Sequence, residues 1–177
     1  MRGVVLFLVG FLAACSGDDP AGPLVVDALE LTTTGDGFTV DLRWDAAGGD
    51  DMLVGVDTDY TLAVTLFDGA SEVTDRVRAE PERFQLFVTG EGVEGPAAAA
   101  DPALLVHAYD DDDGAGAPLG LAHLLDPAMT GSGELVVTLQ DLGEDKAPGL
   151  AETVRAEGLG ALPGSTVAEA VFPVTVL

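Results

Sequence analysis

The chain runs to 177 residues, with 31 Asp and Glu against 7 Lys and Arg and a formal charge of −24. That is one domain's length, and without clustered cations to neutralise a phosphate backbone it excludes DNA and RNA as partners. Hydrophobic residues at 47% still supply a core, so the acidity does not imply disorder.

The first element in chain order is a signal peptide over residues 1–14. It has a single charge at Arg2 and an apolar run, Gly3 to Phe11, far shorter than the ~20 residues a membrane-spanning helix needs. Leu12-Ala13-Ala14-Cys15 follows and resembles the lipobox of bacterial lipoproteins, in which small residues precede a cysteine that is acylated and begins the mature chain. Cys15 is the only cysteine, so it is the predicted lipidation site, and no disulfide can brace the fold. Residues 15–23, polar and rich in Gly, Pro and Asp, read as a flexible acidic tether. Ser16 behind the cysteine resembles outer-membrane sorting, and Asp18-Asp19 resembles the surface-export tags of some envelope lipoproteins. Periplasmic and cell-surface faces both stay open. No later run is long enough to span a bilayer, so the acyl chains alone would hold the protein to the lipid, at about 0.8 kcal/mol per buried methylene.

Residues 24–177 read as one β domain. Leu24 to Thr32 is strand-like, Gly35-Asp36-Gly37 is a turn able to supply positive φ, and Phe38, Val40, Leu42 and Trp44 alternate with polar residues, so the pair predicts a hairpin. Further strands are predicted over 52–56, 60–67, 83–88, 104–109, 119–125, 134–140 and 166–176, each bounded by Gly, Pro or Asp. Ser71 to Pro81, with Val73 and Val77 four apart, and Leu150 to Glu157 read as short helices. Pro173 predicts that the last strand lies at a sheet edge or carries a bulge, since proline cannot donate to a ladder. Strands at this spacing, with no long helical pattern between them, predict an all-β fold. The expected form is an antiparallel β-sandwich, immunoglobulin-like or similar, of about seven to nine strands.

In order and spacing, Tyr109 to Leu121 (YDDDDGAGAPLGL), Gly133 to Leu139, Lys146 to Gly149 and Ala170 to Val176 (AVFPVTV) resemble small bacterial envelope lipoproteins best known from Bacteroidetes. Trp44 and the Gln-aromatic strand Phe84-Gln85-Leu86-Phe87 match that pattern too. The resemblance implies an envelope lipoprotein, with an outer-membrane receptor as a partner it suggests, and carries no activity. That group has histidines where this chain has Phe84 and Asp141.

Asp110-Asp111-Asp112-Asp113-Gly114 is the candidate Ca²⁺ loop, because that hard cation takes six to eight oxygens. It is not an EF-hand: aligning Gly114 to the loop's glycine puts Tyr109 at the first ligand position and Gly120 at the bidentate-glutamate position. A looser site would recruit Asp45, Asp50 or Asp51. His107 and His123, the only histidines, lie on neighbouring predicted strands and could face each other as Zn²⁺ or Cu²⁺ ligands, with Tyr109 or an Asp as a third. A solvated acidic turn and two structural histidines are the alternative. No Gly-x-Ser-x-Gly elbow, phosphate loop or dinucleotide fingerprint occurs, and paired carboxylates decide nothing in so acidic a chain. The leading expectation is a non-enzymatic binding or accessory module of the cell envelope. The alternatives are a divalent-metal protein built on residues 110–114 with His107 and His123, and a structural surface protein without a ligand.

The absence of Ile and Asn and the single lysine, Lys146, fit GC-rich coding, in which Asp fills turn positions that Asn would otherwise take. An acidic surface adapted to high salt is the other reading of the charge.

Overall fold

The computed structural model describes residues 22–177, so the predicted signal peptide, Cys15 and the predicted tether up to Ala21 lie outside the described residues. Two sheets pack face to face. The larger takes β1 (Ala28–Gly35), β2 (Phe38–Asp45), β3 (Gly48–Gly49), β5 (Tyr60–Asp68), β6 (Ser71–Glu72), β8 (Val93–Glu94), β9 (Leu105–Tyr109) and β10 (Ala122–Pro127). Its order is β3-β2-β1-β5-β10-β9-β8, with β6 paired to β5. The smaller has the order β4-β12-β11-β7 and is made of β4 (Met52–Val54), β7 (Phe84–Thr89), β11 (Gly131–Asp141) and β12 (Ser165–Val176). The protein is an all-β sandwich, largely antiparallel, with two parallel pairings, β12 with β4 and β8 with β9.

Strand alternation builds the core. Leu29 and Leu31 of β1, Leu62, Val64 and Leu66 of β5, and Leu105 and Leu125 of the β9–β10 hairpin face Phe84, Leu86, Leu135, Val137, Leu139 and Phe172 from the smaller sheet, all buried. Each such side chain contributes on the order of 1.5–3 kcal/mol by leaving water. The first hairpin closes as the sequence predicts, with Asp36 at φ 50° and Gly37 at φ 77°, the mirror-image turn whose twist matches the strands.

Three differences from the sequence reading have physical causes. β12 is an interior strand, not an edge; its parallel ladder with β4 begins at Val174, just past Pro173, so the missing N–H falls where no β4 residue pairs. The bulge sits instead at Leu139/Gln140 opposite Val167. The segment from Asp141 to Gly164, in which the sequence predicts only the short helix over 150–157, folds back as a cover. Its helix α2 (Leu150–Glu157) lays Ala151 and Val154 on Phe87, giving β7 apolar contacts on both faces. The other helix, α1 (Thr74–Ala79), docks Val77 into the main core, and Thr74 Oγ1 accepts from the Leu66 N–H at 3.0 Å. Among the described residues no helix is long and apolar enough to cross a membrane.

Candidate functional site

Hairpin register places the two histidines. His123 pairs with Tyr109 and Leu125 with His107, so both imidazoles and the phenol point into the core from adjacent strands. The imidazole centroids lie 5.5 Å apart, and Tyr109 sits 5.5 Å from His107 and 5.3 Å from His123. His107 is 3% exposed and His123 0%, so the rings are not on a surface an ion can reach freely.

Their environment is apolar, and burial pushes each imidazole down to about 4. For His107 the neighbouring His123 adds to this, with the Val88 and Ala108 backbone pulling weakly the other way; for His123 the opposing contact is Gly120. The rings are therefore neutral at pH 7. His123 Nε2 donates to the Gly120 carbonyl at 2.9 Å, which leaves Nδ1 as a bare lone pair. Neither ring nitrogen of His107 makes a well-formed hydrogen bond, and Gly95 closes over this ring so tightly that a Cβ there would lie 2.7 Å from Nε2. Tyr109 is not a phenolate ligand: burial raises its hydroxyl, which donates to the Leu86 carbonyl at 3.1 Å.

The acidic loop joins β9 to β10, and its carboxylates turn onto its own backbone. Asp111 accepts from the Gly120 and Leu121 N–H groups at 2.7 Å each and from Ala122 at 3.2 Å. The segment so held is the clasp of the sandwich: Leu121 O accepts from Val64 of the larger sheet and Leu119 O from Leu86 of the smaller, both at 2.9 Å. Gly120 is required there, at φ +82° with a Cβ position 2.6 Å from the Leu86 carbonyl oxygen. Asp112 caps Gly114 at 2.6 Å. Asp113 accepts from Ala115 and Ala117 at 2.9 and 3.0 Å and meets Lys146 Nζ at 3.3 Å, the side chains of the pair being 6% and 1% exposed. Lys146 Nζ also donates to the Pro81 carbonyl at 2.6 Å. Burial alone would raise the Asp113 carboxyl, but the two amides and Lys146 outweigh it and hold it below the usual range. Burial lowers Lys146, with Asp113 opposing.

Of the run, Asp110 and Asp112 keep exposed side chains, while Asp111 and Asp113 are committed to the fold. Asp45 and Asp50 lie beside β3 at the far edge of the same sheet, where Asp45 accepts from Ala47 and Asp50 from Arg43, so they do not join the loop. A cleft of about 490 Å³ flanks Asp111, Asp112 and Asp113 but carries Arg78 on its wall, a cation that competes with any metal. Among the described residues no three His, Cys, Asp or Glu side chains are placed to hold an ion. The structure thus brings His107, His123 and Tyr109 together, separates the acidic loop from Asp45 and Asp50, and leaves Cys15 outside the described residues.

Sequence reasoning missed Lys146, whose signal was its singularity: a lone lysine among 31 acids has many exposed partners to choose from and is buried against one. It also missed the fork of Arg83, which grips Asp141 through two bonds of 2.8 and 2.6 Å and Glu80 through a third of 2.8 Å. Arg83 holds the Asp141 carboxyl below its ordinary range.

No protein-family model matches the chain, and no curated protein matches it.

Proposed function

We propose that the chain is a lipid-anchored module of the bacterial cell envelope, held at the outer membrane through acylated Cys15, and that it works by binding another envelope component rather than by catalysis. The observation that carries this reading is the sole cysteine directly behind an apolar run and Leu12-Ala13-Ala14. The two features with most potential for chemistry also favour it. Asp111 and Asp113 serve the fold, and the histidines are neutral, buried and without a carboxylate partner. The resemblance to envelope lipoproteins suggests an outer-membrane receptor as the component bound.

Chemical cross-linking on intact cells tests this reading. A discrete adduct in the outer-membrane fraction, lost from that fraction with Cys15→Ala, is the expected result. Uniform failure to cross-link would leave a structural surface protein without a ligand.

One observation favours the divalent-metal reading: His123 Nδ1 and both His107 nitrogens are buried without a hydrogen-bond partner. Melting the protein in EDTA and then with Ca²⁺ or Zn²⁺ at fixed ionic strength separates the two, because an ion that binds only the native state raises its stability by mass action. The binding-module account predicts no shift beyond a salt control for Ca²⁺. A concentration-dependent rise with Zn²⁺ that vanishes in His123→Leu would favour the metal protein.

A further inference from the structure

We propose that the open edge of β2 receives an extended, cationic segment of the partner as an added strand. This rests on the binding-module reading and gives it a site and a partner chemistry.

β2 pairs with β1 along one side from Phe38 to Trp44, but on its other side only Trp44 and Asp45 pair, with β3. Arg43 is the next residue inward. Its N–H donates to Asp50 Oδ2 at 2.8 Å and its carbonyl accepts from the Asp50 N–H at 3.0 Å, so its backbone polar groups turn outward. Antiparallel alternation turns those of Asp41 and Thr39 the same way, and among the described residues nothing pairs with them. The result is a short row of donors and acceptors at the spacing an added strand would meet.

Other edges are blocked or short. The rim of β7 is taken by Leu119, which accepts from the Leu86 N–H, and by the Tyr109 hydroxyl on the Leu86 carbonyl. β8 runs along β9 at Leu105 and Val106, and β4 is only three residues long. Exposed edges usually carry lysine or proline that discourages pairing. Residues 38–42 carry neither.

Side chains supply the specificity. Phe38 and Val40 share the face of buried Leu42 yet are 75% and 51% exposed, so the smaller sheet leaves this end of the hairpin uncovered. A strand added here sets alternate apolar residues beside Phe38 and Val40, and its intervening residues beside Thr39 and Asp41. Asp36 in the turn, Asp41 on the strand, and Asp45 and Asp50 at its β3 end make this region acidic, and its cation Arg43 already lies 3.8 Å from Asp45. A second copy of a chain of charge −24 would meet like charge there, whereas lysine or arginine at alternate positions is steered in and held.

The test uses the full chain in detergent micelles, read by hydrogen–deuterium exchange with a blocked octapeptide alternating valine and lysine as probe and its glutamate counterpart as control. The lysine peptide is expected to slow exchange in 38–42 by about tenfold or more while the glutamate peptide does not. Thr39→Pro removes an outward N–H while leaving the backbone bonds to β1 in place, giving up only the exposed 3.0 Å contact of its hydroxyl with Thr34, and is expected to abolish protection with the melting temperature little changed. Asp41→Lys keeps the edge and is expected to weaken the lysine peptide about tenfold. Equal protection by both peptides, or by neither, overturns the proposal. So does protection that rises with protein concentration alone, which would give the edge to a second copy. A cross-linked partner on cells whose contacts map away from β2 overturns this inference and leaves the binding-module reading standing. Absence of any partner on cells sinks that reading whatever the peptide does.

Discussion

Removing the Asp111 carboxylate strands three amides at once, those of Gly120, Leu121 and Ala122, on the segment that ties the two sheets together. Bonds to a charged acceptor contribute about 1.5–3 kcal/mol and an orphaned donor costs about as much, so Asp111→Ala should lose about 2–4 kcal/mol in urea denaturation. Asp112→Ala, which gives up one exposed turn contact, should be nearly silent. Equal effects at the two positions would refute the clasp. The histidines predict a pH dependence. Each folded-state value lies near 4 against 6.5 for the free side chain, so between these values the unfolded chain binds protons that the folded chain refuses. This stability is complete above pH 6.5 and is lost as pH falls toward 4, by on the order of 3 kcal/mol per ring across the window. Asp141 and Asp113 act lower. Their depressed carboxyls contribute stability that is present above about pH 4 and lost only as pH falls through their folded values. His123→Leu should therefore remove about one proton from the slope of stability against pH between 6.5 and 4, read from denaturation at several pH values, and leave the acid limb below 4 intact.

At the scale of elements, Lys146 joins three pieces far apart in sequence: the acidic loop through Asp113, the approach to β7 through Pro81, and the start of the α2 cover. Breaking a buried pair from one side is costlier than replacing both partners. Lys146→Met should cost about 2–4 kcal/mol, and the Asp113→Ala, Lys146→Met double variant less than the two singles combined; strict additivity in denaturant melts would show the pair is uncoupled. Most strands were legible in the sequence because alternation and turn residues are local: β2 is read directly from Phe38, Val40, Leu42 and Trp44, and the first helix from Val73 and Val77 four apart. What stayed hidden is long-range. Four strands of two or three residues exist only because a neighbour lends them a ladder, and β12 is interior because β4 joins it past Pro173. The same limit governed the site. Spacing showed that His107 and His123 could face each other, but not that Gly95 and Tyr109 would seal them in, nor that Asp111 would reach Gly120 across its own loop.

Taken whole, the molecule is a strongly acidic sandwich with no disulfide, whose surface charge repels itself. Raising salt screens exposed charges over about 10 Å at 0.1 M and about 3 Å at 1 M, so the melting temperature should climb with NaCl over that range. A flat response would remove adaptation to high salt as a reason for the charge. The buried Lys146–Asp113 pair is shielded from solvent and should contribute equally at both salt concentrations. The proposed anchoring to the envelope rests on Cys15, and intact-protein mass spectrometry of the protein extracted from bacterial membranes tests it directly. The account predicts a chain that begins at Cys15 and carries the added mass of palmitate-length acyl chains, with Cys15→Ala found unprocessed and unacylated. A soluble chain with a free thiol, or one cleaved at another residue, would contradict it.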